Sequence, residues 1–164
     1  MVTMKTLQFK IGTGIVLLFM LLVGTSNKTY AHCEIPCGIY ADSLRIIMLS
    51  EDIETIEKSM KMINELSSAE EVDYNQLVRW ITNKEDHANK IQNIATQYFM
   101  FQRLKVSDDA EVQKKNAKLL AVLHEICVYA MKSKQTTDLK YIEKLNEAVH
   151  NLSHLYFGEE KHHH

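Results

Sequence analysis

Beyond residue 41 the chain repeats apolar residues in alternating steps of three and four, the spacing of helices that each bury one face. The first run, about residues 42–67, carries Ile46, Leu49, Ile53, Ile56, Met60 and Ile63. The second, about 74–105, carries Leu77, Ile81, Lys84, Ala88, Ile91, Ala95 and Tyr98. The third, about 108–133, presents Leu119, Leu123, Ile126 and Ala130, and the fourth, about 138–157, presents Leu139, Ile142, Leu145, Val149, Leu152 and Tyr156. Pro36 is the only proline, and after residue 31 only Gly38 and Gly158 are glycines, so nothing breaks these runs. Short polar connections make consecutive helices antiparallel neighbours. The expectation is an all-α protein, an antiparallel up-down four-helix bundle over residues 42–158.

Local signals refine the pattern. Ser68 followed by Glu71 reads as a capping box for the second helix. Lys84 falls inside an apolar seam and is expected to carry its ammonium out to water at the bundle end. Cys127 reads as a small core residue, and the methionines follow the seams or the leader. His150 and His154 are four apart, a spacing that can bind zinc, but no Glu or Cys completes a metal set, and they read as a solvated pair.

Residues 1–31 have a different character. Lys5 and Lys10 precede an apolar stretch from Ile11 to Val23, and Thr29-Tyr30-Ala31 closes it on a small residue. That is the layout of a cleavable signal peptide, with an uncleaved anchor as second choice because the core is well short of the roughly 20 apolar residues of a spanning helix. Export to the periplasm or the extracellular space is the corresponding expectation. Removing Lys5, Lys10 and Lys28 with the leader changes the net charge from −2 to −5. No basic patch or aromatic-basic interleaving speaks for nucleic acid. Residues 159–164 form a polar, His-rich tail, left out of the functional argument.

Cleavage after Ala31 would leave His32 as the first residue, followed by Cys33-Glu34-Ile35-Pro36-Cys37-Gly38-Ile39-Tyr40. A free amine, an imidazole and two thiols then stand within a few residues, at 32–41. Thiolate and nitrogen donors select late transition metals, and a square-planar set suits a d8 ion such as Ni(II). Pro36 and Gly38 favour the turn that returns Cys37 toward Cys33. On spacing alone, Cys33 and Cys37 fit a short disulfide of an exported protein as readily. The His in front of the first Cys tips the reading toward metal.

The run His-Cys-x-x-Pro-Cys-Gly-x-Tyr resembles the N-terminal nickel hook of nickel-containing superoxide dismutases, matched at His32, Cys33, Pro36, Cys37, Gly38 and Tyr40. The four-helix pattern is also that family's, and the stretch from Trp80 to Arg103 is similar to members from marine bacteria and algae. The resemblance implies that His32 binds nickel through its amine, and through its imidazole in the oxidised state, Cys33 through its amide and thiolate, and Cys37 through its thiolate. It implies that Tyr40, joined by Tyr98, stands at the open axial face and orders water or substrate. It further implies one nickel ion per chain and a homohexamer. The reaction would be disproportionation of two superoxide anions and two protons to dioxygen and hydrogen peroxide by Ni(II)/Ni(III) cycling. Glu34 stands where the best-known members carry Asp. From the pattern alone His87 reads as a hydrogen-bonded surface histidine. The resemblance puts it where members carry the arginine of a Glu-Arg pair that holds the axial imidazole, with no Glu aligned between Leu44 and Ser50, and implies a supporting role. The alternatives to an enzyme are an exported nickel or copper carrier and a structural bundle with a Cys33-Cys37 disulfide.

Overall fold

A computed structural model describes residues 40–158; the hook residues His32, Cys33, Glu34, Pro36, Cys37 and Gly38 lie outside the described residues. Four helices follow in order: α1 (Asp42–Ser67), α2 (Tyr74–Asn93), α3 (Ala110–Gln135) and α4 (Lys140–Phe157). Between α2 and α3 the helix continues without a break as a π-helical segment, Ile94–Arg103. No strand occurs among the described residues.

Cross-helix bonds fix the directions. Asn83 Nδ2 donates to Ser59 Oγ at 3.0 Å, and the start of α1 meets the end of the π segment, so α1 and α2 run antiparallel. Lys84 meets the end of α3, and Gln92 Nε2 donates to Cys127 O at 2.9 Å further up, so α2 and α3 do the same. The ammonium of Lys144 sits 5.3 Å from the Tyr129 ring centre, and Lys115 Nζ donates to Tyr156 O, which pairs α3 with α4 in the same sense.

The core comes from the seams. Leu49, Ile53, Ile56, Met60, Ala88, Ile91, Leu119, Leu123, Ile126, Ala130, Ile142, Leu145, Val149 and Leu152 are all buried. Ile46, Leu139, Tyr156 and Cys127 are partly buried and pack against this cluster. Burial pushes the Cys127 thiol above its ordinary pKa, in keeping with a packing role. Ile81 and Met131, by contrast, are exposed at the edges of their seams.

Two local expectations are corrected. The second helix is capped by Asp73, whose Oδ1 accepts from the Gln76 N–H at 3.0 Å, and not by Ser68 and Glu71. Ser68 Oγ instead donates to Asn64 O and Glu65 O and closes α1. Asp109 plays the cap for α3, accepting from the Glu111 and Val112 N–H groups.

Lys84 does not reach water. Its side chain turns inward, and Nζ donates to the carbonyls of Ser133 at 2.9 Å, Lys134 at 2.5 Å and Thr136 at 3.4 Å. The last carbonyls of a helix have no partner within it, so a buried ammonium satisfies them and faces the negative end of the α3 dipole. Burial lowers the Lys84 pKa, against a smaller upward pull from Glu85. Lys84→Met keeps the stem and strands the carbonyls. The expected cost is about 1–3 kcal/mol of stability, read by denaturant unfolding, with helix content retained.

Candidate functional site

The described chain begins at the end of the bundle where the α1 N-terminus, the end of the π segment and the end of α4 converge. Asp42, the first residue of α1, is the hub. Tyr98 Oη donates to Asp42 Oδ1 at 2.5 Å, and Tyr156 Oη donates to Oδ2 at 2.9 Å. Arg103 Nη2 donates to Oδ2 at 2.7 Å while its Nε donates to Tyr156 Oη at 2.9 Å. The Ala41 N–H in turn donates to Tyr98 Oη at 3.0 Å.

The π segment is what permits this. In an α-helix, residues five apart point about 140° away from each other. In a π-helix the backbone bonds run from i to i+5, as the Leu104 N–H donating to Phe99 O at 3.0 Å illustrates, and the wider turn brings residues five apart much nearer the same side. Tyr98 and Arg103, five apart, can therefore both grip one carboxylate. The regular helix expected to continue to residue 105 would have turned one of them away.

Electrostatics follow the hydrogen bonds. Burial works to raise the Asp42 pKa, but the bonds from Tyr98, Arg103 and Tyr156, with the Arg103 charge, outweigh it and hold the carboxyl below its ordinary 3.8. Burial first, and Asp42 second, raise the Tyr98 phenol; the same causes push Tyr156 up to about 12. Both phenols stay protonated at neutral pH. Since folding lowers the Asp42 pKa, its contribution to stability is complete above about pH 3.8 and is lost as pH falls through the lowered value. Asp42→Asn should be less stable than the parent at pH 7, and the two should converge well below pH 3.8, as measured by unfolding across pH.

The two tyrosines singled out by sequence do come together. The Tyr40 and Tyr98 ring centres lie 6.1 Å apart, edge to face. Their situations differ. Tyr98 is 4% exposed and its hydroxyl is engaged on both sides, whereas Tyr40 is 40% exposed. Tyr40 is held through its ring, with the Arg103 guanidinium 4.1 Å from its centre. Arg45 covers the Tyr98 ring at 4.9 Å.

His87 is found in a second place, between α1 and α2. Its Nδ1 lies 2.6 Å from Asp52 Oδ1, and both side chains are largely buried. The pair lines a cleft of about 470 Å³ with Met48, Glu51, Lys90 and Ile94. The rings of His150 and His154 stand 4.3 Å apart on α4. No group of three or more His, Cys, Asp or Glu among the described residues could hold a metal ion.

The sequence pattern does not mark Asp42, Arg45, Arg103 or Tyr156 as site residues. Tyr156 offered the one signal: a tyrosine in a core seam needs a partner for its hydroxyl.

The sequence model of the family described as nickel-containing superoxide dismutase matches residues 27–161, most of the chain. The chain belongs to the nickel-containing superoxide dismutase family. It is accordingly a nickel-dependent oxidoreductase acting on superoxide. No curated protein and no solved structure matches it. Among the described residues no helix is long and apolar enough to cross a membrane.

Proposed function

We propose that residues 1–31 are a cleavable leader of an exported enzyme, and that His32, Cys33 and Cys37 hold one nickel ion per chain at the new N-terminus. The observation that carries this is the coincidence of two features. The run from His32 to Tyr40 has the donor types nickel chemistry demands, and the family match begins at residue 27, just ahead of it. An amine, an amidate and two thiolates are strong, anionic, soft donors, and they fit a metal that must reach a high oxidation state. When bound, nickel supplies the one-electron couple that first oxidises and then reduces superoxide.

The chain's own residues set the rest. Tyr40, three residues after Cys37, is the accessible phenol and limits what approaches. Tyr98 is engaged by Asp42 and by the Ala41 N–H, so its task is to fix the backbone next to Tyr40. The two protons come from water, with the Tyr40 hydroxyl placed to order it. The Asp52-His87 pair spans α1 and α2, as the family's Glu-Arg pair does, and we assign it the supporting role of that pair.

Assembly into a homohexamer belongs to the same reading. Its support is the apolar surface left on single chains: Leu44 and Ile47 on α1, and Tyr74 and Val78 on α2, are more than half exposed.

His32→Ala in protein beginning at residue 32 should spare nickel binding more than turnover. The amine, amide and thiolates remain, while the imidazole that favours the oxidised metal is gone. Metal titration and dismutation on one sample check this. Equal loss of both would make the imidazole an obligatory ligand in both oxidation states.

A further inference from the structure

The substrate is an anion, yet the chain after residue 31 carries a net charge of −5 by its Lys, Arg, Asp and Glu content. Its overall field therefore opposes approach, and a fast reaction needs a local cation beside the site. Two guanidinium groups flank the tyrosine pair. Arg103 is neutralised by Asp42 at 2.7 Å. Arg45 makes no ion pair among the described residues.

Arg45 is also under-used as a donor. Its only hydrogen bond among the described residues runs from Nη1 to Met48 Sδ at 3.5 Å, a weak contact with a thioether. Its Nε is buried with no acceptor among the described residues. A buried guanidinium N–H with no acceptor is costly and calls for an explanation. Its plane is held 4.9 Å from the Tyr98 ring centre, and that ring stands edge to face with Tyr40. The arrangement leaves a positive charge, short of acceptors among the described residues, on the Tyr98 ring that packs against the exposed Tyr40. Asp42, the nearest carboxylate on the same helix, already accepts from Arg103, Tyr98 and Tyr156.

We propose that Arg45 is the anion-guiding residue of this enzyme: its guanidinium draws superoxide toward the end of the bundle where Tyr40 is exposed. The inference rests on the superoxide dismutase reading and adds to it a residue outside the hook. No covalent or redox step is assigned to Arg45.

The test uses protein beginning at His32, loaded with nickel, as parent, Arg45→Gln, Arg45→Glu and Arg45→Lys. Nickel content and helix content are measured beside the second-order rate constant from low to high ionic strength. Guidance by a charge fades with salt, whereas a packing role does not. Arg45→Gln should lose about three- to tenfold in rate at low ionic strength and approach the parent as salt rises. Arg45→Glu should lose more and speed up with salt, while Arg45→Lys should stay within about twofold of the parent. In nickel-free protein, azide should shift the Arg45 Nε–H resonance. Rates of Arg45→Gln and Arg45→Glu that parallel the parent at every ionic strength would overturn the proposal. Should Arg45→Gln fold poorly, Arg45→Lys decides: a loss as large at high salt as at low salt marks Arg45 as structural. A parent that holds no nickel and shows no turnover is a different outcome, the failure of the family reading itself.

Discussion

Cys33→Ser and Cys37→Ser are each expected to abolish dismutation while leaving helix content nearly intact. Among the described residues every member of the buried core lies between Leu49 and Leu152, on the four helices and the π segment, so the bundle is expected to fold without an intact hook. The chemistry does depend on it. Thiolates push electron density onto nickel and bring its higher oxidation state into reach, and a serine hydroxyl, protonated at neutral pH, cannot. Turnover per chain and circular dichroism on the same preparations check both halves. Near-parental turnover in either variant would remove the thiolate ligands from the account.

Retaining the leader should be as damaging as losing a thiolate. With residues 1–31 attached, the amine of His32 becomes a peptide amide, and the first donor of the set is gone. The bundle should still fold, because the core cluster among the described residues is built from α1 onward, on the four helices and the π segment. Full-length protein should therefore be folded, nickel-poor and inactive. A single residue placed before His32 should be nearly as harmful as the whole leader, since the lost donor is the same. Comparing the three forms by elemental analysis and superoxide turnover separates loss of the amine from crowding by the leader. An extended form that works as well as the one starting at His32 would show that the amine is no ligand.

Much of the fold was legible because side-chain spacing and burial report the same geometry. The steps through Leu49, Ile53, Ile56, Met60 and Ile63 give α1, whose bounds match the expected 42–67. Lys84 shows where that logic runs out. Its place in an apolar seam was readable, but whether its ammonium reaches water or the end of another helix depends on where α3 stops, and Thr136 is 52 residues away. The π segment was hidden for a related reason. Ile94, Ala95, Tyr98, Phe99 and Gln102 line one side under either winding, so their spacing does not reveal which one the backbone adopts.

The site divides in the same way. The hook is legible because its donors are contiguous and their chemistry is specific. The cluster around Asp42 is not, since its partners Tyr98 and Tyr156 lie 56 and 114 residues away. Nothing in Asp42 itself separates it from a common helix-start aspartate.

The most direct test of the central claim is to follow superoxide consumption against metal content in protein beginning at His32. Metal is removed by a chelator and then restored as nickel, copper or zinc in parallel samples. Activity should rise in proportion to bound nickel, vanish on stripping, and return with nickel alone. Turnover that survives complete removal of nickel, or that copper restores equally well, would contradict the account.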